Sequence, residues 1–120
     1  MTGNSKTMIK KITIIGDGGW GTALAIHLAQ KEFSVNLWGP FPDYLNQMRR
    51  SRYNSKFLPG IAIPKMVTFV DDLSHAIKES DLIVFAIPSK YAFPVLKTIK
   101  GIKADFSKKI FLRGDALLTF

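Results

Sequence analysis

The sequence predicts an α/β domain of three layers, in which a mostly parallel sheet of about five strands carries helices on both faces. Three observations lead there. Short aliphatic and β-branched runs are continuously apolar, as strands buried on both faces must be. They alternate with stretches of about ten residues that read as helices, and parallel strands need such crossovers. A glycine-rich break, Gly16-Asp17-Gly18-Gly19-Trp20-Gly21, separates the first apolar run from the first helical stretch.

Taken in order, residues 1–10 are a polar leader, and Lys11-Ile12-Thr13-Ile14-Ile15 is the first strand, β-branched almost throughout. Residues 22–31 hold Ala and Leu without a breaker and read as a helix. Ser34-Val35-Asn36-Leu37-Trp38 is the second strand, closed by Gly39-Pro40. Residues 43–52 are helical, with Leu45 and Met48 spaced for one apolar face. Residues 54–64 contain Pro59, Gly60 and Pro64 and read as a loop. Val67-Thr68-Phe69-Val70 is the third strand, after which Asp71 or Asp72 caps a short helix through Lys78. Asp81 leads into Leu82-Ile83-Val84-Phe85-Ala86-Ile87, the strongest buried-strand run, which Pro88 ends. Residues 91–100 are helical provided that Pro94 sits in the first turn, where a missing N–H is tolerated. Lys109-Ile110-Phe111-Leu112 is the fifth strand.

The chain has 120 residues, room for one ordinary domain. With 47% hydrophobic and 22% charged residues it has globular composition, which excludes a disordered tail or a repeat array. Seventeen Lys and Arg against nine Asp and Glu leave +8, a balance that admits an anionic partner without naming it. No cysteine is present, so disulfide frameworks and Cys-ligated metals are excluded. The two histidines, His27 and His75, have no partners for a metal site and read as helix-surface or helix-packing residues. The apolar run behind Lys6, Lys10 and Lys11 stops at Gly16, too short for a signal core. No stretch approaches the roughly 20 apolar residues that span a bilayer. A cytoplasmic setting, with no membrane partner, is the expectation.

The glycine break fits G-x-G-x-x-G directly between a strand and a helix, the context in which that pattern binds a dinucleotide. Gly16 permits the tight turn. Gly18 lets the backbone approach a pyrophosphate with no Cβ in the way, and Gly21 lets helix and strand pack closely. The helix N-terminus offers its free N–H groups to the anion. The alternative is a glycine-rich turn without a ligand.

From Ile14 to Ala25 the chain reads Ile-Ile-Gly-Asp-Gly-Gly-Trp-Gly-Thr-Ala-Leu-Ala and closely resembles the opening of NAD(P)-dependent glycerol-3-phosphate dehydrogenases. Trp20-Gly21-Thr22-Ala23-Leu24-Ala25 is the discriminating part, because dinucleotide-binding domains in general share only the glycines. The 3-hydroxyacyl-CoA and 6-phosphogluconate dehydrogenases lack it. The resemblance continues through Leu37-Trp38-Gly39, Asn54 with Lys56-Phe57-Leu58-Pro59-Gly60, and Asp81 to Pro88-Ser89, in the family's order from Lys11 to Leu112.

It implies a Rossmann-type domain over residues 11–112 that binds NAD or NADP. Gly16, Gly18, Gly19, Trp20 and Gly21 resemble the family's pyrophosphate cradle. Phe57 matches an aromatic near the dinucleotide, Pro88 lies in the loop after the fourth main strand, and Tyr91 covers the same pocket; core or loop packing is the alternative for all three. Pro40 stands where many bacterial members place a basic or polar residue to meet a 2′-phosphate. A NAD-type site would carry an acid about 20 residues beyond the glycines, and Gly39-Pro40 holds none. Arg49 and Arg50 read as an exposed helix face, so the choice between NAD and NADP stays open.

The family's reaction moves hydride between C2 of sn-glycerol 3-phosphate and nicotinamide, giving dihydroxyacetone phosphate, a step in glycerophospholipid precursor supply. It resembles a two-lysine chemistry, with one lysine in a Thr-Lys-Gly segment after the fifth strand and one in a C-terminal helical domain. After Leu112 the sequence reads Arg-Gly-Asp-Ala-Leu-Leu-Thr-Phe, without either element. Lys100 of Thr98-Ile99-Lys100-Gly101 precedes the fifth strand and reads as a surface lysine. The expectation is a Rossmann-type domain incomplete at its C-terminal end, with residues 113–120 an atypical tail and no catalytic residue or turnover of its own. Self-association through the exposed sheet edge is also expected. The competing class is a non-catalytic NAD(P)-sensing or interaction module. Nucleic-acid binding rests on +8 alone, with lysines scattered over helix surfaces, and is not expected.

Overall fold

The computed structural model describes residues 9–103, 106 and 109–113. Eleven elements follow one another: β1 (Lys11–Ile15), α1 (Gly19–Gln30), β2 (Ser34–Trp38), α2 (Pro42–Ser51), β3 (Tyr53–Asn54), β4 (Leu58–Ala62), β5 (Val67–Phe69), α3 (Leu73–Glu79), β6 (Leu82–Phe85), α4 (Ser89–Lys100) and β7 (Ile110–Arg113). The main sheet runs β5-β2-β1-β6-β7, and every pair in it is parallel. Counted in the main sheet alone, this is the order third, second, first, fourth, fifth, the arrangement of doubly wound dinucleotide-binding domains. The chain reverses direction across the sheet between β1 and β6. At the carboxyl ends of those two strands a crevice must open, because the connections leave toward opposite faces.

Strand alternation divides the core in two. Ile12 and Ile14 of β1 and Val84 of β6 face Ala25, Ile26 and Ala29 of α1 together with Leu45 and Met48 of α2. Ile15 and Ile83 face the other way, onto Leu73 and Ile77 of α3 and Val95 and Ile99 of α4. Each fully buried aliphatic side chain contributes about 1.5–3 kcal/mol, so both faces are held by burial. Two polar residues interrupt the apolar strands and are satisfied in place. Thr13 Oγ1 donates to the Ala76 carbonyl at 3.2 Å and bonds Ser80, while Asn36 Nδ2 donates to Glu79 Oε1 at 2.9 Å.

Several boundaries differ from the sequence expectation for physical reasons. Helix α1 starts at Gly19 rather than at 22, inside the glycine motif. Strand β6 ends at Phe85, and Ala86 and Ile87 peel away from the sheet, although the Ala86 N–H still reaches the Ile15 carbonyl at 2.8 Å. Helix α4 starts at Ser89, which places Pro94 in its interior and not in its first turn. The stretch read as a loop holds a small antiparallel hairpin, β3 with β4. Arg52 anchors it. This C-cap of α2 has φ 63°, and its guanidinium donates to the Ile63, Pro64 and Val67 carbonyls and stacks on Phe69. Asp72 is the α3 cap, accepting from the His75 N–H at 3.0 Å. Of the tail expected over residues 113–120, Arg113 closes β7 and the rest lies outside the described residues, as do residues 1–8 of the leader. Among the described residues no helix is long and apolar enough to cross a membrane.

Candidate functional site

The glycine turn is built by close backbone approaches that leave no room for side chains. Gly16 has φ +128°, and a Cβ there would stand 2.6 Å from the Ala86 carbonyl oxygen. A Cβ at Gly21 would run into the Gly16 carbonyl, and one at Gly19 would stand 2.9 Å from the Phe57 carbonyl oxygen. Gly18 differs from these. It has ordinary extended backbone, and a Cβ there would meet nothing within 4 Å. Three glycines therefore fasten β1, α1, β6 and the hairpin turn together, and Gly18 alone leaves open space above the backbone.

Gly18 is also the N-cap of α1. It supplies no side-chain cap, and the first turn holds no acidic residue. The leading N–H groups of a helix have no intrahelical partners, and the helix dipole adds about half a positive charge at this end. An anion at Gly18 meets both.

A buried side-chain network fixes the loop. Asn54, fully buried, donates through Nδ2 to the Asp17 carbonyl at 2.8 Å and to Thr22 Oγ1 at 2.8 Å. Its Oδ1 accepts from the Phe57 N–H at 3.2 Å and from the Tyr44 hydroxyl. The Tyr44 oxygen in turn accepts from the Lys56 N–H at 3.1 Å. One amide thus joins glycine loop, hairpin turn and α2, and it holds the Phe57 ring edge-on to Tyr44, centroids 6.2 Å apart.

These parts enclose a cleft of about 570 Å³, large enough for an extended organic ligand. Of the residues expected from sequence, Gly16, Gly18, Gly19, Pro40, Phe57, Pro88 and Tyr91 line it together. Gly21 and Trp20 are not in its lining; Gly21 is buried behind the turn and Trp20 is 39% exposed at the first turn of α1. Arg49 points elsewhere, donating to the Phe69 carbonyl at 2.8 Å. The lining also includes Asp17, Phe41, Asp43, Tyr44 and Lys56, which the motif reading passed over. Phe41, Phe57 and Tyr91 are each about half exposed and form apolar walls of the cleft.

Asp17 is the electrostatic exception. Its residue is 7% exposed, and Oδ2 has no hydrogen-bond partner. Burial pushes its carboxyl up from the ordinary value, against a smaller opposing pull from its own backbone N–H. Among the described residues no group of three or more His, Asp or Glu is placed to hold a metal ion.

The chain is 38% identical over 94 residues to the glycerol-3-phosphate dehydrogenase [NAD(P)+] of Prosthecochloris aestuarii, covering 78% of this chain and 28% of that protein. It is 42% identical over 87 residues to that of Syntrophomonas wolfei, covering 72% and 25%. The crystal structure of glycerol-3-phosphate dehydrogenase from Coxiella burnetii superposes with a TM-score of 0.79 at 31% identity, over 87% of this chain and 31% of that one. The chain thus spans between a quarter and a third of the relatives it matches. Residues 11–112 match the model of the NAD-dependent glycerol-3-phosphate dehydrogenase N-terminus, and the chain belongs to that family.

Proposed function

We propose that this chain binds NAD(H) or NADP(H) in the cleft, as the cofactor-holding part of an enzyme that moves hydride between C2 of sn-glycerol 3-phosphate and nicotinamide. The observation that carries the reading is the uncapped N-terminus of α1 beneath Gly18, where a backbone free of Cβ faces open space. A pyrophosphate fits this place: its charge answers the helix end, and its oxygens reach N–H groups without a side chain between. Gly16, Gly19 and Gly21 support that cradle by packing, with Trp20 beginning the helix. Pro40 borders the cleft at the β2 end, and Phe57, Pro88 and Tyr91 supply apolar walls that exclude water from a bound dinucleotide.

The bound cofactor would supply the hydride acceptor or donor. This chain's residues hold and orient it, and the cleft's single lysine, Lys56, has its Nζ 5.3 Å from the Phe57 ring centroid. We therefore propose binding without turnover by this chain alone. Dihydroxyacetone phosphate, sn-glycerol 3-phosphate, a cytoplasmic setting and glycerophospholipid precursor supply belong to the same reading, through the family.

Calorimetric titration of the purified chain with NADH and NADPH tests it. Saturable 1:1 binding by one or both, with no NADH oxidation on adding dihydroxyacetone phosphate, supports the proposal. A folded chain that binds neither refutes the cofactor role, and measurable turnover refutes the division of labour.

A further inference from the structure

A NAD-type site of this fold takes the adenosine ribose hydroxyls on an acid at the end of the second strand. In this chain that place is Gly39-Pro40, which offers neither a carboxylate nor a side-chain donor for a 2′-phosphate. The structure brings a carboxylate there from another direction. Asp17, between the first two glycines, lays its side chain on Gly39 so closely that a Cβ at 39 would run into it, with Oδ1 2.8 Å away. The acid thus occupies the start of the path that a side chain at 39 would have taken.

Asp17 Oδ2 is buried and lacks any donor, a costly state for a carboxylate. Asp17 lines the cleft, so a hydroxyl arriving with a ligand is a donor it can meet. The surrounding charge points the same way. Asp43 is a second acid in the lining, and Lys56 is its one cation. Arg49 is engaged with the Phe69 carbonyl and with Asp71. A 2′-phosphate entering at Gly39-Pro40 would bring negative charge toward two carboxylates.

We propose that Asp17 is the specificity-determining residue for the adenosine ribose, accepting the 2′-hydroxyl and disfavouring a 2′-phosphate, so that the chain prefers NAD(H) to NADP(H). The inference rests on the dinucleotide reading of the same cleft. Titrating the chain, Asp17→Asn and Asp43→Asn with NADH and with NADPH tests it. The wild-type chain should bind NADH about tenfold or more tighter than NADPH, since the 2′-phosphate would be set beside like charge. Asp17→Asn should narrow that ratio to within about threefold, mainly by strengthening NADPH binding, whereas Asp43→Asn should move it less. A ratio is the readout because a merely structural role for Asp17 would weaken both cofactors together. A wild-type preference for NADPH, a ratio unmoved by Asp17→Asn, or a shift carried wholly by Asp43→Asn would overturn the inference while leaving dinucleotide binding standing. Binding of neither cofactor by the folded wild-type chain would overturn both.

Discussion

Replacing Gly18 by alanine separates the ligand's demands on the glycine turn from the fold's. At Gly18 φ is −71° and ψ −170°, backbone that alanine adopts freely, and the new Cβ would meet no atom within 4 Å. Two small effects on stability oppose each other. Restricting the unfolded chain favours the variant by about 0.4–1 kcal/mol, while alanine is a poorer N-cap than glycine by about the same amount. The sum is close to zero, so the melting temperature should stay within about 2–3 °C of wild type. Binding has no such compensation. A methyl group over the N-cap holds a pyrophosphate off the helix N–H groups and weakens charge-assisted hydrogen bonds worth about 1.5–3 kcal/mol each. Losing one of them raises the Kd for NADH about 10- to 100-fold. Differential scanning fluorimetry and calorimetric titration on the same sample measure both quantities. An unchanged Kd in Gly18→Ala would refute the placement of the pyrophosphate, and a large fall in melting temperature would refute the open-space reading of Gly18.

Gly16→Ala should behave in the opposite way, destabilising the chain by about 1–3 kcal/mol from its positive φ and its clash with the Ala86 carbonyl, as a denaturant midpoint will register. Asn54→Ala removes an amide that serves the Asp17 carbonyl, Thr22, Phe57 and Tyr44. It should cost about 2–4 kcal/mol and loosen NADH binding, and a loss below about 1 kcal/mol would show the network to be dispensable. The Asp81 carboxylate accepts the Lys10 and Lys11 N–H groups, which hold its pKa below the ordinary value. A depressed folded pKa contributes stability that is present above the unfolded value, about 3.9, and is lost as pH falls through the folded one. Melting curves from pH 6 to pH 3 should therefore fall less steeply on the acid side for Asp81→Asn than for wild type.

The strands were legible because their chemistry is local. The register pairs Ile12 and Ile14 with Val35 and Leu37, and with Leu82 and Val84, in runs whose only polar interior residues are Thr13 and Asn36. The glycine turn was legible as a pattern, but its helix boundary was not. Gly19 and Gly21 look like breakers in isolation and are helical here because tight packing against Phe57 and Gly16 requires their size. Pro94 misled in the same manner: a rule about the first turn cannot see a helix that begins at Ser89, directly after Pro88. The hairpin of β3 and β4 depends on Arg52 reaching three carbonyls across sequence, and no periodicity announces that. In the site, Gly16, Gly18, Gly19, Pro40, Phe57, Pro88 and Tyr91 were readable from motif and resemblance. Asp17 occupies an unspecified position of the motif, and its contact with Gly39, 22 positions away, exists only in the fold. Asn54 was visible as a motif residue, yet its role as a clamp needed its complete burial to be seen.

The proposed dinucleotide lies across the end of α1 with its pyrophosphate at Gly18. Backbone amide chemical shifts of the labelled chain, followed during NADH addition, test this placement most directly. Saturable shifts are expected at Gly16, Gly18, Gly19 and Trp20, accompanied by Phe57 and Tyr91, with near silence at the opposite end of the sheet around Lys11 and Asp81. Saturable shifts confined to another surface, or none at the glycine turn of the folded chain, would contradict it.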